Sequence, residues 1–136
     1  MTVTDEIVAL SDISIYHLPS TVGWRLSSWE FERFYLPILG PSAVVVARRL
    51  DHLLTVRGGA QVLDLQQLAL DVGVGHRGGR NSPIVRTLTR LCGFHITWWG
   101  ADGLGVPERA PHLTTNQRMK LPSRVLAELV EVESRC

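Results

Sequence analysis

The sequence predicts a mainly α-helical α+β domain, and three observations carry that expectation. Apolar residues recur at helical spacing in the stretches 42–56, 65–72, 82–93 and 122–132. Short β-prone runs, Gln61-Val62-Leu63, His95–Trp99 and Leu104–Val106, interrupt them. The last two flank Gly100-Ala101-Asp102-Gly103, and Asp-Gly is a strong hairpin-turn signal. With 136 residues, 45% hydrophobic content and a mean hydropathy of +0.10, the chain is one domain's worth and can bury a core. Three parts are expected: an N-terminal extension packing on the core (1–26), the core itself (27–106), and a C-terminal basic linker and helix (107–136).

In the first part, Ile7, Val8, Leu10, Ile13 and Ile15 lack a clean period, so residues 1–14 read as a weakly structured or strand-like tail. The segment from Tyr16-His17-Leu18-Pro19 to Trp24 reads as irregular chain lying across the core. Ser27 and Glu30 have capping-box spacing, which predicts a short aromatic helix through Trp29, Phe31, Phe34 and Tyr35. Its aromatic stripe belongs in the core, with Trp29 and Phe31 also candidates for an interface, since aromatics are favoured there. Pro37 and Gly40-Pro41 should break it.

A longer helix is expected over Ser42–Val56, with Val44, Val45, Ala47, Leu50 and Leu54 inward and Arg48, Arg49, Asp51 and His52 mostly outward. Arg57-Gly58-Gly59 stops it, and Gln61–Leu63 follows as a small strand. Asp64, with Gln67 as its capping-box partner, starts another helix whose inner face is Leu65, Leu68, Ala69 and Val72. Gly73 and Gly75 permit the positive φ that ends it. Ser82-Pro83 starts the next helix, with serine as cap and proline at the first helical position. Ile84, Leu88 and Leu91 fall on one side, and Ser82, Arg86, Thr89 and Arg90 on the other. After Gly93 the chain resumes as a strand, Phe94–Trp99. Past Pro107, Arg118 and Lys120 make the linker basic. Pro122-Ser123 opens a final helix with an apolar face (Val125, Leu126, Leu129, Val130, Val132) and an acidic one (Glu128, Glu131, Glu133). Such a helix docks on its own domain or on a twofold mate, which makes Leu126 and Leu129 interface candidates.

The order helix, strand, helix, helix, strand, turn, strand resembles the winged helix-turn-helix superfamily, and Asp64–Trp99 covers its most specific part. The combination YHLPS…GW, FYLPILGPSAVVVARRL and LALDVGVGHRGGRNSPIVRTLTRLCGF is similar to small uncharacterised winged-helix proteins of actinobacteria and their mobile elements. FYLPILGPSAVVVARRL also resembles the N-terminal winged helices of phage and firmicute helicase loaders, where the domain serves protein assembly as much as DNA. The resemblance implies that Ser82, Arg86, Thr89 and Arg90 lie on a recognition helix, that Arg77 and Arg80 touch phosphate, and that Asp102 and Gly103 form the wing tip. That tip lacks the Arg or Lys that minor-groove contact would use.

Charge points the same way. Residues 1–75 carry five basic and eight acidic groups, and residues 76–136 carry nine and five, so the formal +1 hides about −3 followed by +4. Four arginines and no acid lie between Asp71 and Asp102. The loop Gly75-His76-Arg77-Gly78-Gly79-Arg80-Asn81 ahead of a helix N-terminus suits an anion, and no Gly-Lys-Ser/Thr follows to make it a nucleotide-binding loop.

Other classes receive no support. His17, His52, His76, His95 and His112 are scattered, and no metalloprotease, serine-hydrolase or CxxC pattern occurs, so no enzyme, metal or cofactor is expected. Cys92 reads as a buried thiol, and Cys92 with Cys136 makes no disulfide scaffold. No apolar run of membrane length and no leader pattern occurs, so a cytoplasmic protein without a membrane partner is expected. Two functions remain. The first is a DNA-binding regulator, expected as a homodimer, reading double-stranded DNA with helix 82–93. The second is a winged-helix adaptor for a protein partner in replication or phage–host interference.

Overall fold

The fold is organised by the strand Asp12–Leu18 (β1), which lies in the interior of a four-stranded sheet. The computed structural model describes residues 2–135. Around β1 run Gln61–Asp64 (β2), Trp98–Gly100 (β3) and Gly103–Pro107 (β4), in the order β2-β1-β4-β3. β1 pairs antiparallel with β2, Ile13 opposite Leu63, and parallel with β4, Ile15 opposite Leu104. β3 and β4 form the antiparallel hairpin, Gly100 opposite Gly103. Seven α-helices among the described residues complete a mixed α/β domain: Val3–Val8 (α1), Trp29–Leu39 (α2), Pro41–Arg57 (α3), Leu65–Val72 (α4), Pro83–Gly93 (α5), Thr115–Met119 (α6) and Ser123–Ser134 (α7).

The expected tail is the first correction. Residues 3–8 form a helix because Thr2 and Asp5 make a complete capping box and Ile7 is fully buried. Residues 12–18 form the interior strand because Ile13 and Ile15 alternate with exposed Asp12 and Ser14, burying both isoleucines on one face. The irregular segment therefore begins only after Leu18.

In α2 the cap is Ser28 rather than Ser27, its Oγ accepting the Phe31 N–H at 3.1 Å. Pro37 does not break the helix but sits inside it. An interior proline costs about 3 kcal/mol, whereas each large apolar side chain taken from water returns roughly 1.5–3. Phe31, Phe34, Tyr35, Ile38 and Leu39 are all buried here, so the helix continues. It ends at Gly40, whose φ of 86° and ψ of 162° form the whole connection to α3.

α3 buries Ala43, Val44, Val46, Ala47, Leu50, Asp51 and Leu54. Two expectations change here: Val45 is exposed, and Asp51 faces inward because β1 brings His17 Nε2 to within 3.2 Å of its carboxylate. Asp64 caps α4 through the Gln66 and Gln67 N–H groups, while the Gln67 side chain turns to Asp71 at 2.9 Å instead of completing the box. The strand expected over Phe94–Trp99 shrinks to Trp98–Gly100, since the Ile96 and Thr97 N–H groups both bond the Leu91 carbonyl. α7 lies against α2, burying Val125 and Leu129 and pairing Glu128 with Arg33. Tyr35 donates its hydroxyl to the Pro111 carbonyl, and burial pushes that phenol well above its ordinary pKa, so it stays a donor. No helix among the described residues is long and apolar enough to cross a membrane.

At the hairpin, Gly103 has φ of 107°, and a Cβ there would lie 2.3 Å from the Ser14 carbonyl oxygen of β1. Gly59 has φ of 77° but faces open space. Gly59→Ala should therefore cost the left-handed strain alone, about 1 kcal/mol, and Gly103→Ala more than about 2 kcal/mol, because a backbone contact must also open. Urea denaturation of the two variants measures the difference, and equal losses would mean that β1 and the hairpin do not meet so closely.

Candidate nucleic-acid interface

The segment joining α4 to α5 is folded by its own backbone. Gly73 (φ 71°) ends α4, and the Val74 N–H returns to the Ala69 carbonyl at 2.9 Å. Gly78 (φ 90°) then leads into a single 3₁₀ turn, Gly79–Asn81, with the Asn81 and Ser82 N–H groups bonded to Gly78 and Gly79 at 3.0 Å. The Ile84 N–H reaches back to the Gly75 carbonyl at 2.9 Å, closing the loop on the start of α5. His76, Arg77, Arg80 and Asn81 are held exposed on its outside.

Ser82 does not project outward as expected. It is fully buried at the N-cap position of α5, but its hydroxyl, 2.7 Å from His76 Nδ1, pins the loop and makes no capping hydrogen bond. Thr89 is half-buried, its hydroxyl 3.0 Å from that of Thr4 in α1. α1 lies along this flank of α5, and Asp5 pairs with Arg80. Arg90 is engaged from the other side. Its Nε donates to the Leu39 carbonyl at 2.8 Å and an Nη to Ile38 at 2.9 Å, with the guanidinium 5.1 Å from the Phe94 ring centre. A cation on the last carbonyls of α2 offsets the negative end of that helix.

Arg77 and Arg86 are left as exposed arginines with no ion pair or hydrogen bond among the described residues. Arg86 stands with Pro83, Thr87 and Arg90 along an open groove of about 300 Å³ on the outer face of α5. Elsewhere Arg33, Arg48, Arg118 and Arg135 pair with glutamates, while Arg25, Arg57, Lys120 and Arg124 are also exposed without an ion pair among the described residues. A cleft of about 530 Å³ near α3 is bordered by Arg25, by Arg48 and by Asp51, whose carboxylate lies 3.2 Å from His17 Nε2.

The remaining candidates divide. Asp102 is exposed in the turn, but Gly103 is buried against β1 and offers no wing-tip contact. Trp29 is 55% exposed and sits edge-on to Phe34 with ring centres 5.8 Å apart, as an interface residue could. Phe31 and Leu129 are core residues, since α2 and α7 cover one another, and Leu126 is half-buried. Cys92 is half-buried beside Thr97, and burial raises its thiol pKa; Cys136 lies outside the described residues.

Asp5 and Thr4, which share the flank of α5, were not among the residues singled out from the sequence. The signal for them is the Thr2–Asp5 capping-box spacing ahead of Ile7-Val8. No family model matches the chain, and no curated protein or solved structure matches it either.

The hydrogen bonds separate the two arginines of α5. Arg90→Ala leaves two carbonyls of α2 without their charged donor and should lower the unfolding free energy by about 1–3 kcal/mol. Arg86→Ala touches no partner and should stay within about 0.5 kcal/mol. Thermal and urea melts of the pair check this, and equal stabilities would show that Arg90 is not anchored on α2.

Proposed function

We propose that the chain is a winged-helix protein that binds double-stranded DNA through the outer face of α5 and the loop ahead of it, as a transcriptional regulator would. The observation that carries this is the pair of unengaged guanidinium groups, Arg77 and Arg86, in a stretch with no acid between Asp71 and Asp102. The order α3-β2-α4-α5-β3-β4 supports the winged-helix reading, with β1 inserted between β2 and β4 as a departure from it. In this reading α5 lies along the major groove, Arg86 meets guanine edges or phosphate, and Arg77 meets phosphate. The acidic Asp102 keeps the hairpin turn out of the minor groove.

Two of the four arginines are engaged within the fold, and α1 narrows the exposed face of α5. Backbone contacts therefore dominate, and affinity is modest and steeply salt-dependent. Fluorescence anisotropy with a labelled duplex across a salt series tests this. Arg77→Ala with Arg86→Ala should weaken binding and reduce the slope of log K against log salt by about 2. An unchanged slope in a folded variant would end the proposal.

A protein-docking reading is favoured by one observation. Trp98 on the edge strand β3 is 51% exposed and stacked on His95 at 4.9 Å, beside a groove bordered by Val22, Pro107 and Pro111. That reading expects Trp98→Ala to abolish partner capture and the arginine variants to leave it intact.

A further inference from the structure

We infer that Asp5 holds Arg80 as a DNA phosphate would, so that on duplex binding this guanidinium swings from one anion to another. The inference rests on the DNA-binding reading of α5 and adds a third phosphate contact together with the group that holds it in check.

The geometry makes Asp5 a fixed occupant of the site. Its helix is anchored independently of the ion pair: Ile7 is fully buried, Thr2 closes the capping box, and Thr4 meets Thr89 of α5 at 3.0 Å. Asp5 accepts from the Thr2 backbone N–H at 3.2 Å and from its hydroxyl at 2.9 Å, which orients the carboxylate before Arg80 arrives. Arg80 is held from its own side by the 3₁₀ turn and by the His76–Ser82 clamp behind it. A carboxylate oxygen and a phosphate oxygen present the same acceptor to a guanidinium.

The pair is also weak enough to exchange. The Arg80 side chain is 59% exposed and the Asp5 side chain 38%, and solvent-exposed ion pairs are screened and worth little. Swinging Arg80 to a phosphate leaves Asp5 on its Thr2 hydrogen bonds and α1 in place on Ile7. Asp5 therefore competes with phosphate for Arg80 and lowers the affinity for the duplex.

The test is anisotropy with a labelled duplex and a salt series, using Asp5→Asn, Glu6→Gln, Arg80→Ala and Asp5→Asn with Arg80→Ala. Glu6→Gln removes the same charge from the same helix without touching Arg80, and thermal melts confirm that each variant folds. Asp5→Asn should tighten binding on the order of fivefold near 0.1 M salt and leave the salt slope unchanged, since Arg80 meets one phosphate in both proteins, whereas Arg80→Ala should lower the slope by about 0.9. Glu6→Gln should change affinity by less than about twofold, and the gain from Asp5→Asn should vanish in the Arg80→Ala background. An equal gain from Glu6→Gln, or a gain that survives Arg80→Ala, would mean general charge repulsion and overturn the inference while leaving the DNA reading in place. A duplex bound by no variant at low salt overturns both.

Discussion

Backbone pairing along β1 is the constraint on which the rest depends. This strand supplies the contacts that β2 and β4 would otherwise make with each other, and its two isoleucines fill the centre of the core. β1 has both edges hydrogen-bonded and one face buried, with Asp12 and Ser14 exposed on the other, so pairing and burial pattern each fix its register. Three other features follow from its position. Gly103 must be glycine because the hairpin turns against the Ser14 carbonyl. Asp51 turns inward because His17 arrives opposite it. And α1, only a few residues upstream of the strand, reaches the flank of α5.

The helices of the core were legible in the sequence because each carries its own punctuation. Asp64, Gly73, Pro83 and Gly93 mark the ends of α4 and α5, and the helical-period face between them is the face the fold buries. The N-terminal segment was not legible in the same way. Ile7 belongs to a helix and Ile13 and Ile15 to a strand, so treating residues 7–15 as one window mixes two periods and shows neither. Pro37 misleads for another reason: a local penalty was outweighed by burial that only tertiary packing reveals.

The candidate site divides along the same line. Helical spacing correctly placed Arg86 on the outer face of α5, since that depends on one element alone. The surroundings of Arg80, Ser82, Thr89 and Arg90 depend on partners elsewhere in the chain: Asp5, His76, Thr4 and the end of α2. Three of these partners are contributed by other elements, and no single-window pattern carries such information. A basic stretch in a sequence is therefore an upper bound on the free charge of the folded surface.

The glycine between α2 and α3 has a mechanical meaning. A junction of one residue leaves just two torsions to set the elbow, and at Gly40 they lie where side chains with a Cβ are excluded. The angle between the aromatic helix and the long helix is thus set by that glycine together with the side chains packed between them. Because Arg90 clasps the very end of α2, α5 is tied to the elbow where the two helices meet.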